Sequence, residues 1–199
     1  MKFTKGVTAM MKKQTATISS LAMLVGVLVL LVQASSVIAQ TPSAGANAVT
    51  QGLRQNWDGS KLNIKESADL MTEENYSFKP VDSVRTFGQI LAHLAGANYV
   101  FCSAAKGEKS PNAEDAFEKT ATTRAQIIKA VADSHAYCDS VFASMDDKKL
   151  GETIEMPFGM GKSARARALV MNIGHVNEHY GNLVTYFRLK GIVPPSSRR

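Results

Sequence analysis

The sequence predicts an all-α protein whose main part is a four-helix bundle. Four segments, each roughly 20 residues or longer, carry apolar side chains at intervals of three and four residues, which is the spacing of one helix face. Loops that contain glycine and proline separate these segments, and no segment alternates apolar and polar residues as a half-buried strand does. Apolar residues make up 45% of the 199-residue chain, which is enough for a single core.

The first 39 residues have the composition of a cleavable signal peptide. A basic start that ends at Lys13 precedes the apolar run from Leu21 to Val32, and small residues follow. Val37 and Ala39 fit a cleavage site after Ala39, so we expect a periplasmic or extracellular protein. An uncleaved membrane anchor is the alternative, because residues 18–39 carry no charge and are long enough to cross a bilayer.

The basic net charge of +6 belongs mostly to this leader segment. Four of the 23 basic residues lie before residue 40 and no acidic residue does, so 19 basic residues face 17 acidic ones in the remainder. The mature chain therefore has a net charge of only +2 and lacks the basic stripe of a nucleic-acid-binding surface. We expect no nucleic-acid partner.

A short linker precedes the bundle. Residues 40–47 are small and polar and include a proline, which is typical of a flexible connection. The domain is predicted over residues 48–199. Its first helix is expected over residues 48–71, where apolar residues such as Trp57 and Ile64 recur at helical spacing.

The second helix is expected over residues 84–105. Asp82 or Ser83 is the predicted N-cap, because either side chain can accept a hydrogen bond from a free backbone N–H group. Gly107 is the predicted stop, since glycine readily adopts the left-handed conformation that ends many helices. One histidine, His93, lies on the apolar arc of this helix.

The third and fourth helices complete the predicted bundle. The third is expected over residues 113–145, and a loop rich in glycine follows it. The fourth is expected over residues 163–190, with Ser163 as its N-cap and Gly191 as its stop.

The histidines indicate a candidate metal site. His175 and His179 are four residues apart, so their imidazoles lie on one face of the fourth helix and can share an ion. A third imidazole from another helix would leave coordination positions open, as in catalytic sites, and would suit Zn²⁺, Ni²⁺ or Fe²⁺. His93 and His135 both lie on apolar faces, so spacing alone does not decide which is the third ligand. Ordinary packing histidines are the alternative interpretation.

Two parts of the chain resemble the DinB superfamily. The first part ends on His93, and the second contains the pattern His-x-x-x-His at His175 and His179. The resemblance extends over about residues 49–197. The similar stretches are residues 71–80, 84–93, 173–183 and 188–195.

The resemblance implies both a helix order and a ligand set. The superfamily has an up-down-down-up bundle, and its metal-binding histidines come from the second and fourth helices. These positions correspond to His93, His175 and His179 in this chain. His135 has no counterpart in the pattern, so we expect it to have a packing or solvent role.

The same helix order bears on the two cysteines. An even number of cysteines in an exported protein permits a disulfide. The resemblance makes the second and third helices parallel, which brings Cys102 and Cys138 toward the same end of the bundle. We therefore predict a bridge between them, and two buried free thiols are the alternative.

The resemblance also implies an activity. Some members of the superfamily are thiol-dependent transferases or isomerases and others are hydrolase-like, so we expect a metal-dependent enzyme whose ion activates water or a thiol. Glu178, beside the two histidines of the fourth helix, is the candidate catalytic residue, either as a base or as an acceptor for an imidazole N–H group; a solvated carboxylate is the alternative.

The expected partner is a small-molecule substrate. No membrane partner is expected after cleavage, and a homodimer is left open. Export separates the protein from cytosolic thiols, which weakens thiol transfer as its activity. A non-catalytic protein that binds a metal or a small ligand is the alternative function.

Overall fold

The computed structural model of the protein describes residues 47–198. The predicted signal peptide, residues 1–39, and the linker as far as residue 46 lie outside the described residues. Within residues 47–198, none of the helices combines the length and the apolar character that crossing a membrane requires.

The described part of the chain is mostly helical. Four long helices form its body: α1 (Ala48–Leu70), α2 (Phe87–Lys106), α4 (Arg124–Ala143) and α6 (Arg165–Leu189). The connections contain two short helices, α3 (Ala116–Thr120) and α5 (Asp147–Leu150), and 3₁₀ turns at Glu73–Ser77, Pro157–Gly159 and Pro195–Ser197. They also contain an antiparallel hairpin of β1 (Thr153–Glu155) and β2 (Lys162–Ala164), in which Ile154 pairs with Ser163.

Helices α2 and α4 run parallel. The Asn98 amide donates a hydrogen bond to Ser134 Oγ at 3.1 Å, and Cys102 and Cys138 form a disulfide with their Cα atoms 5.5 Å apart. Each pair spans 36 residues of sequence, and this constant offset requires parallel helices. The predicted Cys102–Cys138 bridge is therefore confirmed.

Helix α6 runs antiparallel to α2. The rings of Phe87 and Phe187, at the start of α2 and the end of α6, lie 5.3 Å apart. At the other end, the Arg165 guanidinium donates a hydrogen bond to the carbonyl oxygen of Ala105.

Helix α1 runs antiparallel to α4. Trp57, near the start of α1, stacks on Phe142 near the end of α4 at 5.2 Å, and Arg124 at the start of α4 donates to the Met71 carbonyl just after α1. Because α4 is antiparallel to α1 and parallel to α2, and α6 is antiparallel to α2, the four long helices run up, down, down and up in chain order. This is the order that the resemblance implies.

The start of α2 differs from the sequence prediction. Thr86, and neither Asp82 nor Ser83, is the N-cap: its hydroxyl accepts from the Gln89 N–H group, and the Gln89 side chain accepts from the Thr86 N–H group. This reciprocal capping box satisfies two backbone donors at once, which a lone capping side chain does not. The predicted stop at Gly107 is confirmed, since its φ of 83° closes the helix.

The predicted third helix, residues 113–145, is wrong in its first part. The short helix α3 is followed by a break, and α4 begins only at Arg124. Thr123 and Gln126 form a second capping box there, and Gln126 Oε1 also accepts from the Thr122 N–H group. Because the chain turns at this break, the segment that contains α3 packs across α2 instead of extending α4.

The start of α6 also differs from the prediction. Ser163 lies in strand β2 and does not cap the helix; Ala164 precedes α6 without a side-chain cap, and the Arg165 N–H group donates to the Glu152 carbonyl. The sequence did not predict a hairpin here, because strands of three residues are too short to show alternation. The stop at Gly191 is confirmed by its φ of 70°.

Candidate metal centre

Three imidazoles converge between α2 and α6. One ring nitrogen from each of His93, His175 and His179 lies within 4.8 Å of the other two. The Nε2 atoms of His93 and His175 are 3.2 Å apart. His93 is buried, whereas the other two side chains are partly exposed, so the cluster faces both the bundle interior and solvent.

This geometry fits a divalent ion. Two imidazole nitrogens, each about 2.1 Å from a shared ion, are about 3.0–3.4 Å apart at octahedral or tetrahedral angles. The His93–His175 distance of 3.2 Å falls in that range. Imidazole is a ligand that suits Zn²⁺, Ni²⁺ and Fe²⁺, and three such ligands leave coordination positions free.

Glu118 of α3 orients the His93 ring. Its Oε1 atom lies 3.1 Å from His93 Nδ1, so the Nδ1–H group donates to the carboxylate and Nε2 is left free for an ion. Gly96 of α2 allows the segment that contains Glu114 and Glu118 to pack closely against α2, because a side chain at that position would overlap the carbonyl oxygen of Glu114. No pattern in the sequence points to Glu118, since it lies 25 residues after His93 in a segment that was predicted to be the first part of the third helix.

We expect Glu118→Gln to weaken metal binding by about tenfold, because the uncharged amide holds the Nδ1–H group less strongly and lowers the basicity of Nε2. The measurement is a competition titration of Zn²⁺ against a chromophoric chelator. Glu108→Gln, which removes an equal charge from an exposed position at the end of α2, is the matched control. Equal weakening in both variants would assign the effect to overall charge and contradict the orienting role of Glu118.

The other two histidines are held differently. The Asn182 amide nitrogen lies 3.3 Å from His179 Nδ1, so in this arrangement Nδ1 accepts and Nε2 carries the proton of the neutral ring. Binding of an ion through Nε2 requires the Asn182 amide to turn, so that its oxygen accepts from an Nδ1–H group. His175 Nδ1 is buried and has no hydrogen-bond partner among the described residues. Metal-ligating histidines usually donate their second N–H group to an acceptor, and His175 has none among the described residues. Asn172, one turn before His175 on α6, packs on the disulfide with its amide nitrogen 3.7 Å from Cys102 Sγ.

Burial keeps the three imidazoles neutral. Loss of solvation lowers the pKa of His175 to about 4, with further contributions from the other two histidines and from Arg85. The pKa values of His93 and His179 are also lowered, in both cases mainly by burial. Neutral imidazole is the form that binds a metal, so the site is ready for an ion at neutral pH.

Two further carboxylates, those of Glu178 and Glu114, lie near the cluster. Glu178 lies on the exposed side of α6, where its charge raises the pKa of His179 against the larger effect of burial. Glu114 lies beside His93, with its Oε1 atom 3.8 Å from His93 Nε2. No pattern in the sequence points to Glu114, because its proximity to His93 depends on the packing of its segment against Gly96.

His135 lies away from the cluster, on the side of α4 that faces α1. Its ring packs edge-on against Trp57 at 5.6 Å, and its buried Nε2 atom has no partner among the described residues. This is the packing position that the resemblance implies for it. Burial lowers the pKa of His135 to about 4.

We expect His135 to make the fold sensitive to acid. Its pKa in the folded protein lies below the ordinary value of 6.5, so the unfolded chain takes up a proton first as the pH falls. Stability is therefore lost between about pH 6.5 and pH 4, by at most about 3 kcal/mol, and is unaffected above this range. Urea unfolding of the wild type and of His135→Phe across this range measures the effect.

Phenylalanine preserves the ring contact with Trp57 but does not titrate. As the pH falls, the unfolding free energy of the wild type should decrease more than that of His135→Phe. The histidines of the cluster titrate in both proteins, so their contribution cancels in the difference. A difference that stays constant from pH 7 to pH 4 would show that His135 is protonated as easily in the folded state as in the unfolded chain.

A cavity of about 700 Å³ opens beside the cluster. His179 and Asn182 of α6 form one wall, and Arg85 and Gln89 at the start of α2 form another. The cluster thus borders a concave space large enough for a small molecule, as a catalytic site requires.

Comparisons with known proteins agree with this architecture. A DinB-like protein from Bacillus cereus ATCC 10987 superposes with a TM-score of 0.59 at 20% identity, over 73% of this chain and 95% of that one. YfiT from Bacillus subtilis, which has an unusual four-helix bundle topology, superposes with a TM-score of 0.56 at 15% identity, over 72% of this chain and 88% of YfiT. The YjoA protein of Bacillus subtilis is 21% identical over 127 residues, which are 63% of this chain and 80% of YjoA.

The sequence pattern of a known family also matches. The pattern of the DinB superfamily covers residues 62–183, which is more than half of the chain and includes all three histidines of the cluster. The chain therefore belongs to the DinB superfamily.

Proposed function

We propose that this protein is an exported metal-dependent enzyme of the hydrolase type, in which His93, His175 and His179 bind one divalent ion that activates water. The observation that carries the proposal is the convergence of the three imidazoles at the edge of a 700 Å³ cavity. YfiT, whose structure is similar, is described as a probable metal-dependent hydrolase. The ion can be Zn²⁺, Ni²⁺ or Fe²⁺, since all three accept imidazole ligands.

When bound, a divalent ion at this site would lower the pKa of a coordinated water molecule toward neutrality. The chain itself supplies orientation and proton transfer. Glu118 fixes the His93 ring, and the cavity beside His179 receives the substrate. Glu114, 3.8 Å from His93 Nε2, is placed to accept a proton on its carboxylate, and Glu178 is the second candidate for that role.

Metal analysis of protein purified without an affinity tag tests the binding step. The expected result is one equivalent of metal per chain in the wild type. Hydrolysis of ester, amide and phosphoester substrates is then screened with and without a chelator. Activity that the chelator removes and the metal restores would support the enzyme. Bound metal whose coordination is saturated, together with inactivity throughout the screen, would instead support the non-catalytic metal-binding alternative.

The proposal that the protein is exported has separate support. The disulfide between Cys102 and Cys138 is of a kind that persists in oxidising compartments and is rare in the cytosol. Together with the composition of residues 1–39, it favours a periplasmic or extracellular location. Export also favours water over a cytosolic thiol as the activated group.

We expect the mature protein to begin at Gln40, because Val37 and Ala39 provide the small side chains that signal peptidase requires. N-terminal sequencing of material recovered from the cell envelope or the medium is the measurement. A chain that retains residues 18–39 and stays with the membrane fraction would support the anchor instead.

A further inference from the structure

One wall of the cavity beside His179 contains a cationic side chain, which Glu118 of α3 pairs on one edge. Arg85 contributes this guanidinium group, and Gln89, Asn182 and Tyr186 contribute neutral polar groups. None of the described residues that line this cavity is acidic. A cation that faces a concave space without a lining carboxylate favours a negatively charged ligand.

Hydrogen bonds fix both the backbone carbonyl and the guanidinium group of Arg85. Its carbonyl oxygen accepts a hydrogen bond of 2.7 Å from the Tyr186 hydroxyl of α6. Its Nε and Nη2 atoms donate to the Glu118 carboxylate at 2.9 and 3.3 Å. A side chain fixed in this way loses little conformational entropy when it binds a ligand.

Glu118 occupies only one edge of the guanidinium group. The Nη1 atom has no acceptor among residues 47–198, and the side chain is 43% exposed. Because a guanidinium presents five N–H donors in one plane, the edge formed by Nη1 and Nη2 remains available for two parallel hydrogen bonds. A carboxylate matches this edge with its two oxygen atoms.

The net charge of the site also favours an anionic ligand. Arg85 and Glu118 neutralise each other, and the three imidazoles are neutral, so a bound divalent ion leaves the site positive even when the carboxylate of Glu114 is counted. A single free guanidinium edge is suited to one carboxylate, whereas binding of a doubly charged phosphate is usually shared among several cations or backbone N–H groups.

We propose that the cavity binds small organic acids, whose carboxylate pairs with the free edge of Arg85 while a second group of the same molecule reaches the ion at the histidines. This inference rests on the proposed metal-dependent function and specifies its substrate class. Arg85 is then the residue that selects anionic substrates, and Tyr186 and Glu118 are its positioning residues.

The test uses the full mature protein loaded with Co²⁺, whose visible spectrum reports ligands that enter its coordination sphere. Acetohydroxamate is compared with hydroxamates that carry a carboxylate tail of increasing length. We expect at least one tailed probe to bind the wild type about tenfold more tightly than acetohydroxamate, as a bidentate charged pair would provide. Arg85→Gln should abolish this preference.

The comparison between probes separates the anion site from the metal site. Both probes bind the ion through the same hydroxamate group, so any change that Arg85→Gln transmits to His93 through Glu118 affects them equally and cancels in the ratio. Arg85→Lys, which keeps the charge but lacks the planar edge, should retain only part of the preference. Arg188→Gln, at an exposed position of α6 away from this cavity, is the control and should keep all of it.

The possible failures are distinguishable. A wild type that binds Co²⁺ but no tailed probe more tightly than acetohydroxamate would overturn the anion site and leave the proposed function intact. A preference that survives in Arg85→Gln would likewise overturn it. A wild type that takes up no Co²⁺ would overturn the proposed function and this inference together.

Discussion

Replacing His93, His175 or His179 with alanine is expected to weaken the binding of Zn²⁺ or Ni²⁺ by about a hundredfold or more. Each imidazole supplies one of three protein ligands, and loss of a direct ligand should exceed the effect of losing an orienting partner such as Glu118, which is about tenfold. The measurement is a competition titration at pH 7.5, where all three imidazoles are neutral.

Thermal unfolding provides an independent readout. A metal that binds only the folded protein stabilises it, by about 2.7 kcal/mol when the free metal concentration is a hundred times Kd. The wild type should gain this stability on addition of metal, and the three alanine variants should gain little. His135→Phe is the matched control, because it removes a histidine of the same bundle outside the cluster and should respond as the wild type does. Unchanged metal affinity in any one of the alanine variants would remove that residue from the ligand set.

Replacing both Cys102 and Cys138 with alanine is expected to destabilise the protein by about 3–4 kcal/mol. The bridge closes a loop between residues 36 apart, and cross-linking a loop of that length restricts the unfolded chain by about this amount. For a domain of this size, the melting temperature should fall by roughly 10 °C. Chemical unfolding, followed in parallel by calorimetry, is the measurement.

Reductant provides the control for this variant. Wild-type protein that is unfolded and refolded in dithiothreitol should show the same loss as the double variant, whose own stability should not respond to dithiothreitol. Both cysteines are fully buried, so reduction requires prior unfolding. If the reduced and oxidised wild types unfolded at the same denaturant concentration, the bridge would not contribute to stability.

The extent of α1 and the ends of α2 and α6 could be predicted from the sequence because their signals are local. Apolar periodicity located α1, and left-handed glycines ended α2 and α6 at Gly107 and Gly191. The beginnings of the helices were harder to predict, because several nearby residues can act as caps. The structure selects Thr86 and Thr123 because each has a glutamine three residues later that completes a capping box.

The break before α4 illustrates a limit of periodicity. Residues 113–145 were predicted to form one helix, yet the chain turns between α3 and α4. The turn is stabilised by contacts distant in sequence, including the packing of the Glu114 backbone on Gly96 and the pairing of Glu118 with Arg85. Such contacts leave no periodic signal in the segment itself.

The sequence by itself determined that His175 and His179 share one face of a helix, because a four-residue spacing brings two side chains together wherever that helix lies. Spacing alone did not decide between His93 and His135, since a helical period shows which residues share a face but not which helix that face meets; the resemblance to the DinB superfamily favoured His93. The tertiary structure supplies the geometry: His93 Nε2 lies 3.2 Å from His175 Nε2, and the His135 ring packs on Trp57. The surroundings of the site, Glu114, Glu118 and Arg85, were likewise decided by packing between distant segments, because their proximity depends on how the α3 segment lies across α2.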